Sequence, residues 1–273
     1  LSCDRPSADA CLGFPSTERV MDAITILQFP AAALYLLAVG VVGCRLLMLA
    51  RRTRQLPELL LGLSLLLGGT LGGPLEGAAL AGREDFAPAI VGGMLVTGKL
   101  FTMAALALQC AFVWRVFRPS EAWAPWLFAL IIALPIAAFG QSLAGGMASS
   151  GEIPFLWFWV EQIGRVGASC WLVADGARYH GMMRRRLALG LADPLVTNRF
   201  LLWTLAGVAA IVFMLTAVPP MFLDPHRHEL LLIVDLFVFS LAGVAVSALY
   251  LLAFLPPMAY RRLLVGAETV KPA

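Results

Sequence analysis

Charge is what this chain has least of. Only 14% of its 273 residues are Asp, Glu, Lys or Arg, against roughly 25% in a soluble domain. Lysine is confined to Lys99 and Lys271 beside 18 arginines, and histidine occurs only three times. A water-soluble body of this size would lack the charge to cover its surface. Room is missing too: once the apolar runs are set aside, no stretch approaches the ~100 residues usual for a soluble domain. A fused kinase, cyclase or nucleotide-binding domain is therefore not expected within these residues. The five cysteines, Cys3, Cys11, Cys44, Cys110 and Cys170, form no CxxC pair. The last three lie within apolar runs and read as small hydrophobes in packed helices, whereas Cys3 and Cys11 are spaced to pair in an oxidising compartment.

What the chain has instead is apolar mass. Sixty per cent of the residues are hydrophobic and the mean hydropathy is +0.84, the composition of an integral membrane protein. The runs and their Arg, Pro and Gly breakers predict seven spans: Ile24–Leu49, Pro57–Ala81, Pro88–Trp114, Trp123–Met147, Pro154–Ala177, Phe200–Phe222 and Leu230–Leu255. Pro57, Pro88 and Pro154 open their spans in the first turn, where a missing N–H is harmless. Trp123, Trp126, Trp157, Trp159 and Trp203 fall near span ends, where an interfacial aromatic belt is expected. Met21 opens the first hydrophobic segment and is the candidate start of translation. The implied organisation is a short outer segment over 1–22, a seven-helix membrane domain over 23–257 and a cytoplasmic tail over 258–273.

Basic residues orient the bundle. Thirteen follow spans one, three, five and seven, and four (Arg5, Arg19, Arg83 and Arg227) lie on the other side. By the positive-inside rule the amino terminus is outside and the carboxyl terminus inside. The Arg184-Arg185-Arg186 loop after span five reads as a topological anchor with a short helix on anionic lipid, or as the docking point of a cytoplasmic partner protein. Richness in Ala, Leu, Gly and Arg suggests a high-GC bacterial gene and hence a bacterial cytoplasmic membrane.

Ionisable groups inside a span are expensive and tend to mark function. Glu76, Lys99, Glu161, Arg165 and Asp235 stand well inside these spans. At 1.5 Å per residue, Lys99 and Arg165 lie roughly 16 Å, and the three acids about 9–10 Å, below the outer surface. Gln141 and Gln162 are at comparable levels, while Asp175, Arg45 and Arg115 sit near enough to the inner interface to snorkel. Glu161 and Arg165 share a helix face at i, i+4. Gly68, Gly72 and Glu76 repeat at the same spacing, a small-residue packing face that turns Glu76 into the bundle. The five charges sum to one net negative. Lys99-Leu100-Phe101 also lies over Asp235-Leu236-Phe237 if the spans form a three-one-three repeat, which would let Lys99 pair with Asp235.

Family signatures for this topology are missing. Span seven has no lysine for a retinal Schiff base, and the histidines His180, His226 and His228 lie at span ends or in loops rather than in a zinc-hydrolase arrangement. There is no GxGD, HExxH or intramembrane Ser/His couple, no Pro-Gln sugar-carrier signature, and no animal-receptor Arg triplet or Asn-Pro pair. The sequence thus points to an all-α, non-enzymatic heptahelical receptor or sensor. Glu76, Lys99, Gln141, Glu161, Arg165 and Asp235 would shape an outward-facing pocket for a small polar or amphipathic ligand, without metal, cofactor or nucleic acid. The alternative is a small-solute or proton-coupled transporter that uses the same charges; confinement of those charges to the outer half favours the pocket.

Overall fold

A long apolar run in a dry environment satisfies its backbone hydrogen bonds within one helix, and helices account for the regular structure throughout. The computed structural model describes residues 17–82, 85–147, 155–216, 218 and 229–266, and these are all-helical. The helices are α1 (Thr17–Thr53), α2 (Leu56–Ala81), α3 (Pro88–Phe117), α4 (Ala124–Ala144), α5 (Phe155–Ala188), α6 (Pro194–Leu215), α7 (Glu229–Phe254) and the short α8 (Met258–Gly266). Six are long and apolar enough to cross a membrane: α1 from Pro30, α2, α3, α4, α6, and α7 from Ile233. The exception among the long helices is α5, which carries Glu161, Arg165, Asp175 and Arg178. Cys3, Cys11, Arg83, Pro154, His226, His228 and Lys271 lie outside the described residues.

Helix ends depart from the sequence reading where local chemistry overrides hydropathy. Helix α5 continues past Ala177, through Gly181, to Ala188, and ends where Gly190 follows. That glycine has φ +70° and closes the helix with bonds from Leu191 N to Arg186 O (2.9 Å) and Gly190 N to Leu187 O (2.9 Å), a Schellman cap. Arg184, Arg185 and Arg186 are therefore part of α5, not of a separate helix. Helix α6 begins at Pro194 rather than Phe200. The Asp193 side chain caps it, accepting from Leu195 N at 2.7 Å.

The helices close into a ring. Helix α1 packs on α2 and α7, α7 on α6, α6 on α5, α5 on α3, and α3 on α2. Helix α4 lies outside this ring against α3 and α5, and α8 rests on α6. The polarity is that of a membrane body: Leu37, Leu130, Ile136, Ile163 and Leu241 are exposed, while Lys99, Ser142, Gln162, Ser169, Asp175 and Ser247 are buried. In water such a surface would aggregate. In lipid it is the solvated one.

A glycine-close seam joins α2 to α3. A Cβ added to Gly72 would lie 3.0 Å from both the Gly98 carbonyl oxygen and Thr102 N. One on Gly98 would meet Gly72 O and Glu76 N at 3.1 Å. Ser64 adds a hydrogen bond from its Oγ to Ala105 O at 2.8 Å. Small residues permit this approach, and dispersion between the two backbones holds it in a solvent that gives no hydrophobic drive. Gly72→Ala should therefore cost about 1–3 kcal/mol through overpacking. Gly77→Ala, at a position with nothing within 4 Å, should be neutral or slightly stabilising. Thermal unfolding of the two purified variants tests the contrast.

Candidate functional site

The seam determines where Glu76 goes. Pro74 offers no N–H to the preceding turn, and the chain there, Leu65–Gly72, is wound as π-helix before returning to α-helix at Gly73. Such widened turns often accompany functional positions. With α2 pressed on α3, the Glu76 carboxylate reaches Lys99, Oε2 to Nζ 3.2 Å, and accepts a hydrogen bond from Thr102 Oγ1 at 2.6 Å. On its other side Lys99 Nζ donates to Glu161 Oε1 of α5 at 2.6 Å. The same Glu161 oxygen lies 3.5 Å from Arg165 Nη1, one turn along α5. Four sequence-predicted residues thus form one chain of charge, Glu76–Lys99–Glu161–Arg165, across three helices.

This tetrad is neutral, two acids against two bases. Its balance corrects the expected surplus negative charge, which came from counting Asp235. Asp235 is half-buried on α7 and has no ion pair or hydrogen bond among the described residues. It does not meet Lys99, whose ammonium is already shared by two carboxylates. Gln141 is exposed on α4, the helix outside the ring, and takes no part. Gln162 is buried, with its Oε1 unpartnered among the described residues.

A cavity of about 640 Å³ opens inside the ring, within the roughly 300–1,000 Å³ typical of small-molecule sites. Glu161 and Arg165 stand in its wall, with Tyr35, Thr102, Gln109 and Ser240 as further polar groups. Leu36, Leu65, Leu106, Phe213 and Phe239 give the wall its apolar character. Tyr35 and Thr102 carried no signal in the sequence, since neither is ionisable in the range that attracts attention and only helix packing aims them inward.

Toward the basic end of the bundle the cavity gives way to an aromatic layer. Phe112 and Phe117 of α3, Tyr179 of α5, Phe200 and Trp203 of α6, and Phe254 of α7 contact one another with centroids 4.8–6.5 Å apart. Trp203 therefore belongs to the packed interior rather than to an interfacial belt, as its position nine residues into α6 requires.

Beside this layer, at the end of α3, lies a second polar cluster that sequence reasoning missed. Asp175 is 2% exposed, too deep to snorkel as expected. Its Oδ1 accepts from Arg118 Nε (2.9 Å) and Nη2 (2.6 Å), and its Oδ2 from Trp171 Nε1 (2.9 Å). Those bonds, and above all the hydrogen bond to Asp175, raise the Arg118 guanidinium further above its ordinary range. Arg118 also lies over the Trp123 ring at 5.3 Å. The available signal was Trp171 one turn before Asp175, an i, i+4 donor–acceptor pair.

No family model, no curated protein and no solved structure matches this chain. Function must be argued from the site itself.

Lys99 is the member whose loss should matter most to the fold. Lys99→Met strands Glu76 and weakens the hold on Glu161, and breaking one side of a buried pair costs about 3–5 kcal/mol. Adding Glu76→Gln removes the stranded charge, so the double variant should melt above Lys99→Met alone. Asp235→Asn, which breaks no pair, should stay within about 0.5 kcal/mol of the parent. Thermal melts of the purified variants, read as a double-mutant cycle, check all three.

Proposed function

We propose that the chain is a heptahelical receptor-like protein that binds a small ligand in the central cavity and passes the signal to the cytoplasmic side. In this reading α5 is the seventh span: its charged face looks into the bundle at Glu161 and Arg165, so lipid need not meet it. The amino terminus is outside, by the excess of basic residues at the opposite end, and the membrane is a bacterial cytoplasmic one. The single observation that carries the proposal is the 640 Å³ cavity with an ion-paired Arg165–Glu161 couple in its wall. Concave sites that combine an apolar lining with a few convergent polar groups are the default binding sites of such folds.

The aromatic layer favours a receptor over the transporter alternative. A translocation path needs a continuous polar lining, and the ring from Phe112 to Phe254 interrupts it on the inner side. A signal would instead be transmitted through that layer to Arg118–Asp175 and to the exposed Arg184–Arg186 end of α5, where a partner protein would dock. No enzymatic chemistry is assigned.

A screen of small molecules by thermal stabilisation tests the reading. Hits should stabilise the protein by about 2.7 kcal/mol at a hundredfold excess over Kd, and lose the effect in Ala210→Trp, where an indole would occupy the cavity lined by Ala210. Vesicles containing the protein should show no protein-dependent uptake of the same compounds. Uptake that disappears with Glu161→Gln would establish the transporter instead.

A further inference from the structure

The tetrad distributes its bonds unequally, and the inequality indicates what the cavity takes. Lys99 is engaged by two carboxylates, Glu76 by Lys99 and Thr102, and Glu161 by Lys99 and Arg165. Among the described residues Arg165 has one partner, the same Glu161 oxygen at 3.5 Å, and its side chain is 30% exposed against 9% for Lys99. A guanidinium presents five N–H donors in a rigid fork, so one long contact leaves most of them unused. Those donors belong to a residue in the cavity wall. Tyr35 lines the same wall, and its hydroxyl makes no hydrogen bond among the described residues.

A cation would meet Arg165 first and be repelled. A neutral solute would leave the guanidinium under-paired, whereas an anion would give it charge-assisted bonds, the strong kind. Glu161 does not repel an anion strongly, because Lys99 Nζ already sits 2.6 Å from its oxygen. Behind these polar groups the wall turns apolar at Leu106, Phe213 and Phe239.

We propose that the cavity binds an amphipathic anion, with a carboxylate or phosphate-type head on Arg165 and the Tyr35 hydroxyl and a single apolar tail or ring system against Leu106, Phe213 and Phe239. This rests on the reading of the cavity as a ligand site and narrows it to one ligand class. Such an anion has two sources, a free amphiphile from the outer aqueous phase or an anionic membrane lipid.

The test uses the full chain in phosphatidylcholine nanodiscs and radiolabelled dodecanoate as probe. Dodecanoate should bind saturably, and dodecyl phosphate should compete with it; dodecylamine, dodecanol and tail-less acetate should not. Arg165→Gln should weaken binding about tenfold, equivalent to about 1.4 kcal/mol, while Arg165→Lys retains part of it. If Arg165→Gln does not fold, Tyr35→Phe carries the test, with a severalfold weakening expected. Replacing part of the phosphatidylcholine by phosphatidylglycerol separates the sources: competition with dodecanoate identifies a lipid, and unchanged binding a free anion. Equal competition by dodecylamine or dodecanol, or unchanged affinity in both Arg165→Gln and Tyr35→Phe, overturns the anion and leaves a ligand cavity standing. Absence of saturable binding by any of these amphiphiles overturns the anion too; if Ala210→Trp also leaves every hit of the thermal screen unaffected, the cavity reading falls with it.

Discussion

One ammonium group holds the centre of this protein together. Lys99 Nζ is shared by Glu76 and Glu161, so a single side chain on α3 ties α2 to α5 across the interior. Within a membrane an unpaired member would be far more costly than the same group at an aqueous surface. Much of the local architecture follows. The α2–α3 seam must be glycine-close for Glu76 to reach Lys99, and α5 must turn Glu161 inward. Once it does, Arg165 follows onto the same face one turn later.

The second polar cluster serves the opposite end. Arg118 closes α3 and is clamped by Asp175 of α5, with Trp171 and Trp123 around it. Helices α3 and α5 are thus joined twice, by Lys99–Glu161 and by Arg118–Asp175, the second joint lying beside the aromatic layer. The pairing leaves the cavity bounded laterally by helices whose spacing is pinned at both levels. A site so bounded is preorganised, and a ligand entering it need not pay for assembling its walls.

Parts of this were legible in the chain. Scarcity of charge and long apolar runs identify a helical membrane body because backbone hydrogen bonding in lipid admits few alternatives. The spacing Gly68–Gly72–Glu76 showed which face of α2 packs, and Glu161–Arg165 showed a shared face on α5. Other features were not legible. Hydropathy ends α5 at Ala177, whereas Gly190 ends the helix itself, since lipid depth and backbone capping are separate constraints. Asp235 looked equivalent to the other buried charges because depth along a helix is readable and rotation about it, in an evenly apolar span, is not. Trp203 was misplaced because hydropathy opens its span at Phe200, whereas the Asp193 cap opens the helix at Pro194.

By itself the sequence determined the class of molecule, all-helical and membrane-embedded, and the few residues whose charge demands an explanation. Both are properties of composition and of one-dimensional spacing. Tertiary structure alone decided which of those charges meet. It joined Glu76, Lys99, Glu161 and Arg165, left Asp235 and Gln141 apart, and added Tyr35, Thr102 and the Arg118–Asp175 clamp. Partner choice across helices depends on azimuth and on sub-ångström approach at glycines such as Gly72 and Gly98, and neither quantity is written in the order of the residues.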